Sequence, residues 1–178
     1  MIKGPEADQW KEAMDVEMSQ LNKMGTWKKE DLPEEWKAIG CRWVFARKKD
    51  KHGKIVKYKA CFVTQGISQK HGTDYSDNST FALVMCFETL RTMLANSAIY
   101  NWKLQQFDIK GTYLHRELKE EIYMTQVPGY EDNTNKVYHL LRSLYGLKQA
   151  GNVWNTKLND TLTNLGFNQL KSDYCCYV

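Results

Sequence analysis

Two extended, apolar-rich runs flank a short turn-forming sequence within residues 41–64. Trp43-Val44-Phe45 precedes Asp50-Lys51-His52-Gly53, and residues 55–63 follow that turn. Aromatic and β-branched residues favour strands, whereas Asp and Gly favour the tight turn that joins two antiparallel strands. The pattern therefore predicts a β-hairpin, which makes these two strands neighbours in whatever fold the chain adopts.

The predicted hairpin also has the most concentrated positive charge in the chain. Residues 42–59 contain eight Lys or Arg and a single acid, interleaved with Trp43, Phe45 and Tyr58. Such a surface suits a phosphate backbone and unstacked bases. The alternative is a solvated edge hairpin whose lysines deter aggregation. The candidate nucleic-acid contacts are Arg47, Lys48, Lys49, Lys57 and Lys59.

Apolar residues recur at helical spacing in three other stretches. Residues 6–24 predict an amphipathic helix that ends at Gly25, and residues 87–100 and 150–165 predict two more. One face of the second helix is expected to hold Leu90, Met93, Leu94 and Ala98. The buried stripe of the third is expected to be Val153, Trp154, Leu158, Leu162 and Leu165.

The remaining segments predict short strands and loops. We expect strands at residues 122–124, 137–141 and 174–178, and an irregular connection at residues 27–39. Because the last of these strands is apolar and stops at the final residue, the chain resembles a cut piece. That strand would leave an apolar sheet edge open to association with a partner.

Length and composition exclude several classes of protein. The 178 residues, 42% apolar and 26% charged, suit one ordinary domain or two small lobes. No apolar run reaches the ~18 residues of a membrane span, so no membrane association is expected. The five cysteines form no C-x-x-C pair. This disfavours a disulfide framework or zinc site and favours a reducing intracellular context, cytoplasmic or nuclear.

A single carboxylate, Asp108, follows an apolar-flanked run that reads as a strand. A strand that delivers a carboxylate into a turn is a usual way to hold a divalent cation. The turn amides of Gly111 and Thr112 could meet a phosphate, since successive backbone N–H groups form an anion-binding concavity. The alternative is that Asp108 merely caps a strand end or a short helix.

Several strings, in order along the chain, carry a resemblance to a known family. Gly-Thr-Trp lies at residues 25–27, Arg-Trp-Val-Phe at 42–45 and Tyr-Lys-Ala at 58–60. Gln69, Gly72, Asp74 and Tyr75 match a Gln-x-x-Gly-x-Asp-Tyr run, and Leu-Tyr-Gly-Leu-Lys-Gln-Ala occupies residues 144–150. With Gln106-Phe107-Asp108 and residues 118–124, these strings resemble the reverse transcriptase domain of Ty1/copia-type LTR retrotransposons over nearly the whole length.

The resemblance implies an α+β fold of fingers-and-palm type and DNA synthesis on an RNA/DNA template-primer with two divalent ions, expected to be Mg²⁺. Asp108 would be the first metal-binding aspartate, beside the Ile109 carbonyl. The amides of Gly111 and Thr112 would face the triphosphate. Tyr113 would lie against the sugar, and Gln149 would lie near the incoming nucleotide or the template. Residues 1–100 and 115–150 would be mainly fingers, and residues 101–114 and 151–178 a partial palm.

The sequence also departs from the family pattern. The Tyr-x-Asp-Asp hairpin expected soon after residue 178 is missing, and Cys61 stands where the family has an arginine. One carboxylate cannot offset the repulsion between two divalent ions. We therefore expect a catalytically defective reverse transcriptase fragment. Two alternatives are a non-catalytic nucleic-acid-binding module and a piece of a longer active polymerase.

Overall fold

The computed structural model describes residues 4–76, 80 and 84–178. In these ranges the helices are α1 (Ala7–Lys23), α2 (Phe87–Ile99) and α3 (Ala150–Asn164). The strands are β1 (Trp27–Glu30), β2 (Cys41–Lys49), β3 (Ile55–Thr64), β4 (Tyr123–Met124) and β5 (Val137–Leu140). Short 3₁₀ turns lie at Gly66–Ser68 and Thr112–His115. The α+β class is confirmed. No helix in the described ranges has both the length and the apolar character to cross a membrane.

Helix α1 forms as its apolar spacing predicts. Met14, Met18 and Leu21 are buried along one side. Gly25, with φ of +61°, ends the helix in the left-handed conformation that glycine adopts most easily. Thr26 then donates its hydroxyl to the Leu21 carbonyl oxygen at 2.6 Å, so one of the terminal carbonyls of α1 is satisfied as the chain turns into β1.

The predicted hairpin is confirmed as the antiparallel pair β2–β3, in which Cys41 faces Thr64 and Lys48 faces Lys57. Since side chains alternate along a strand, the pair has two distinct faces. One face packs against the core through Phe62, which is fully buried. A register shift between Lys48 and Lys49 marks the start of the hairpin tip.

A second sheet has the antiparallel order β1–β5–β4, with Trp27 opposite Leu140 and Met124 opposite Tyr138. The irregular connection predicted over residues 27–39 was therefore partly wrong. Trp27 stacks on Tyr138 with ring centroids 4.8 Å apart, a long-range contact that no local pattern reveals. The fully buried side chains include Phe62, Ile122, Met124, Leu140 and Leu144, which join the two sheets in one core.

Two of the predicted strands are absent. Residues 103–109 are exposed and irregular, and the final residues make only an isolated bridge between Gln169 and Tyr177. Strand structure requires a ladder of partners for the backbone groups, and residues 103–109 have none in the described part of the chain. Cys176 and Val178 hydrogen-bond to the backbone of Leu170 and Asn168, but these bonds form a single bridge rather than a ladder. Consequently, the expected sheet edge at residues 174–178 does not form.

Helices α2 and α3 form, but their predicted apolar faces are less buried than expected. Leu90, Met93 and Leu94 are 41–46% exposed, although they share one side of α2. In α3 the predicted stripe is half-buried, and Leu165 is 69% exposed. The spacing predicted helices correctly but predicted their burial wrongly, because burial depends on what packs against a face.

Candidate nucleotide and nucleic-acid site

A cleft of about 730 Å³ opens between α1, the hairpin and residues 108–114. Its walls contain most of the residues predicted to act in substrate binding, although they come from distant parts of the sequence. The predicted residues in its lining are Lys48, Lys57, Lys59, Asp108, Ile109, Gly111, Thr112 and Tyr113. Folding therefore places the basic hairpin and the Asp108 segment around one space.

The turn after Asp108 is fixed by its own backbone. Gly111 has φ of +61°, and the Leu114 amide donates to its carbonyl oxygen at 2.8 Å, while the Leu114 side chain is buried in the core. The Thr112 hydroxyl donates to the Ile109 carbonyl oxygen at 2.7 Å. The carbonyl predicted to bind metal thus already accepts a hydrogen bond. A Cβ at Gly111 would lie 2.5 Å from Gln20 Nε2, so the turn also approaches α1 closely.

Asp108 is exposed at the mouth of the cleft. Within residues 4–76, 80 and 84–178, no group of three or more His, Cys, Asp or Glu side chains could hold a metal ion. Two divalent cations a few ångströms apart need several anionic ligands between them. The residues that the structure describes therefore do not fit the pair of Mg²⁺ ions that the resemblance implies.

Tyr113 lines the cleft but is half-buried, because its side chain packs against the core. Its ring meets Tyr145 edge to face, with centroids 4.6 Å apart and an interplanar angle of 75°. This geometry is favourable for an aromatic pair and holds the Tyr113 ring in one orientation. An ordered ring beside the Gly111 turn is suitably placed to limit the space there.

The predicted cationic residues of the hairpin fall into two groups. Lys48 pairs with Lys57 and Ala46 with Lys59, which places the three lysines on one face of the hairpin. Arg47 lies on the opposite face, where its guanidinium is 2.5 Å from Glu6 Oε2. Of the five predicted contacts, Arg47 and Lys49 are not part of the cleft lining.

Arg47 belongs to a set of contacts that attaches the hairpin to α1. Tyr58 donates its hydroxyl to Glu6 Oε1 at 2.9 Å, and Trp10 meets Phe45 and Tyr58 edge to face at 5.1 and 4.7 Å. The Tyr58 hydrogen bond, aided by Arg47, holds the pKa of the Glu6 carboxyl below its ordinary value. We call the set formed by Glu6, Trp10, Phe45, Arg47 and Tyr58 the helix–hairpin clasp.

Glu17 is a cleft residue that was not among the predicted site residues. Its carboxylate accepts the Phe62 backbone N–H at 3.3 Å, so α1 covers an outward-facing amide of β3. Burial raises the pKa of Glu17, while the Phe62 amide and the positive charge of Lys59 oppose that rise. The sequence offers no local indication of this role, because the partner amide lies 45 residues away.

Gln149 is fully buried and does not line the cleft. Its Oε1 accepts from Gln69 Nε2 at 3.0 Å, and its Nε2 donates to the Asp74 carbonyl oxygen at 2.9 Å. Gln69 Oε1 in turn accepts the Lys148 amide at 2.8 Å. These bonds attach the loop at residues 69–75 to the beginning of α3. Direct contact between Gln149 and a nucleotide stays a prediction.

The string at residues 144–150 also holds the end of β3. The Tyr145 carbonyl oxygen accepts both the Thr64 amide at 2.8 Å and the Thr64 hydroxyl at 2.9 Å. Gly146 has φ of +95°, and a Cβ there would lie 2.1 Å from the Thr64 carbonyl oxygen. A Cβ on Gly66 would lie 2.0 Å from the Gly146 oxygen. Glycine is therefore required at both positions by close backbone approach.

Comparison with known proteins agrees with the sequence resemblance. A family model described as reverse transcriptase (RNA-dependent DNA polymerase) matches residues 24–178. The retrovirus-related Pol polyprotein from transposon TNT 1-94 of Nicotiana tabacum is 38% identical over 179 residues, which cover 99% of this chain and 13% of that protein. The Pol polyproteins from transposons RE1 and RE2 of Arabidopsis thaliana are each 33% identical, covering 96% and 99% of this chain.

The chain belongs to the reverse transcriptase family and is of the Ty1/copia type found in the Pol polyproteins of plant transposons. It spans about an eighth of the length of these curated relatives, 12–13% in each case. No solved structure matches it.

Proposed function

We propose that this reverse transcriptase fragment binds the triphosphate and the template-primer in the cleft between α1, the hairpin and residues 108–114. The observation that carries the proposal is the placement of Lys48, Lys57 and Lys59 around the same space as the Gly111 turn. Three lysines close together attract phosphate strongly, since each releases a counterion from the nucleic acid on contact. The hairpin would then act as fingers, and residues 101–114 as part of a palm.

Each side chain of the cleft has a role that follows from its chemistry. The lysines supply positive charge to phosphates, and the amides of Gly111 and Thr112 supply hydrogen-bond donors. The Tyr113 ring, held by Tyr145, would limit the space beside the sugar and disfavour a 2′ hydroxyl. Asp108 would contribute one metal-binding carboxylate to the divalent-ion chemistry of the family, whose activity is polymerisation of DNA on an RNA template.

We expect no template-dependent DNA synthesis by the 178-residue polypeptide alone. A single carboxylate at Asp108 cannot hold two divalent ions close together. The measurement is extension of a labelled primer on RNA and DNA templates with Mg²⁺ or Mn²⁺. Product that depends on template and disappears in Asp108→Asn would show that the isolated chain is an active polymerase and would refute this expectation.

Replacing the cleft lysines should weaken nucleic-acid binding and its dependence on salt. We expect Lys48→Gln/Lys57→Gln/Lys59→Gln to lower affinity for a single-stranded oligonucleotide. The slope of log affinity against log salt should fall by about 0.7 for each lysine that contacts a phosphate. Fluorescence anisotropy titrations at several salt concentrations measure both quantities.

The matched control removes the same charge at exposed lysines outside the cleft, Lys23, Lys136 and Lys171. Equal losses in the two triple variants would mean that net charge, rather than the cleft, governs binding.

The second candidate function, a non-catalytic nucleic-acid-binding module, is favoured by the same three lysines. It predicts sequence-independent binding that added triphosphate does not change, whereas a polymerase cleft predicts competition between triphosphate and oligonucleotide.

A further inference from the structure

Three of the five cysteines meet far from the cleft, where the C-terminal segment passes the beginning of α2. Cys86 is the residue that precedes α2, and its amide donates to Asp173 Oδ2 at 2.9 Å. The Cys175 amide donates to Asp173 Oδ1, also at 2.9 Å. The two oxygens of one carboxylate therefore hold the backbones of two cysteines that are distant in sequence.

The three thiols differ in their access to solvent. Cys86 is exposed, Cys175 is half-buried, and Cys176 is buried with its Sγ 3.9 Å from the Met93 sulfur. Burial raises the pKa of the Cys175 and Cys176 thiols, and the neighbouring cysteines add to this effect. A reagent in solution therefore reaches Cys86 first, and Cys175 is the better placed of the other two to react next.

We propose that Cys86 and Cys175 form a reversible disulfide on exposure to a low-molecular-weight disulfide such as oxidised glutathione. The Cys86 thiolate attacks one glutathione sulfur, breaks the glutathione S–S bond and releases one glutathione thiolate. The Cys175 thiolate then attacks the Cys86 sulfur and releases the second. Two protein thiols are oxidised, one glutathione disulfide is reduced to two thiols, and the two protein thiol protons pass to the leaving thiolates.

Asp173 brings the backbones of Cys86 and Cys175 close together. A disulfide needs the two backbones to approach closely, and the shared Asp173 carboxylate already draws the Cys86 and Cys175 amides together. The bond would fix the C-terminal segment covalently to the beginning of α2, which it now contacts through hydrogen bonds of Asp173 and through Cys176 and Met93.

The test treats the 178-residue chain with oxidised glutathione, alkylates the remaining thiols, and maps tryptic peptides without reduction. We expect the Cys86 peptide to be joined to residues 172–178 and to be released by dithiothreitol. Cys175→Ser should abolish the link, whereas Cys176→Ser and the control Cys61→Ser should retain it. A link that survives Cys175→Ser, or that joins Cys86 to Cys61 or to another chain, would overturn the proposal.

Two measurements on the unaltered chain make the test independent of variant folding. Under limiting iodoacetamide, Cys86 should be alkylated faster than Cys175 and Cys176. Oxidation should raise the thermal unfolding midpoint, and dithiothreitol should reverse the rise, because a cross-link restricts the unfolded chain. A midpoint that does not change, or Cys86 that carries only bound glutathione, would contradict the disulfide.

Discussion

Gly146→Ala is expected to unfold the protein or to lower its free energy of unfolding by more than about 4 kcal/mol, an exceptional loss for one substitution. The added Cβ would lie 2.1 Å from the Thr64 carbonyl oxygen and 2.8 Å from Val63 Cγ1. No rotamer relieves a clash between a Cβ and a backbone atom. Urea denaturation followed by circular dichroism measures the effect, with solubility as a first indication.

Gly53→Ala is the matched control, since Gly53 also has a positive φ, +83°, but a Cβ there meets nothing within 4 Å. Gly53→Ala should lower the free energy of unfolding by about 1–2 kcal/mol, the cost of holding alanine in the left-handed conformation. Gly66→Ala tests close backbone approach, because a Cβ on Gly66 would lie 2.0 Å from the Gly146 oxygen. Similar losses at Gly53 and Gly146 would show that backbone conformation, rather than close approach, requires glycine at residue 146.

Gln149→Ala should lower the free energy of unfolding by about 2–5 kcal/mol. The substitution leaves Gln69 Nε2 and the Asp74 carbonyl without their buried partner and opens a cavity in place of the amide. The exposed residue Gln105 provides the control, and Gln105→Ala should change stability by no more than about 0.5 kcal/mol. Urea titrations of both variants give the comparison.

A double-mutant cycle tests whether Gln149 acts through Gln69. The two side chains are hydrogen-bonded. The loss of unfolding free energy in the double variant should therefore differ from the sum of the Gln69→Ala and Gln149→Ala losses by about 0.5–3 kcal/mol. If Gln149 instead acted mainly by touching a nucleotide, Gln149→Ala would keep its stability and lose triphosphate affinity. That result would contradict the role that the buried amide network indicates.

The hairpin could be predicted because its determinants are local. The Asp50 carboxylate accepts the amides of His52 and Lys54 at 2.8 and 3.0 Å, and Gly53 supplies the positive φ. These residues lie within one turn, so composition alone identifies the structure. The same holds for the ends of α1 and α3, where Gly25 and Gly166 both have positive φ.

The features that could not be predicted depend on distant partners. Strand β1 exists because β5, more than a hundred residues later, pairs with it. Conversely, the Asp108 stretch has the composition of a strand but no ladder partner in the described ranges. The family resemblance implied that Gln149 lies near a nucleotide or template, but it gave no indication that the side chain is buried. Its burial follows from Gln69 and Asp74, which nothing near residue 149 reveals.

The helix–hairpin clasp attaches one part of the hairpin to α1 and so divides the hairpin into an anchored part and a tip. Its last contacts, from Glu6 to Arg47 and Tyr58, lie just before the register shift between Lys48 and Lys49. Because Lys57 and Lys59 flank Tyr58 in β3, we expect the clasp to fix their distance from the Gly111 turn. We expect bending to be concentrated in the tip, so that under the proposed function Lys51 and Lys54 would adjust to a long polyanion without changing the width of the cleft.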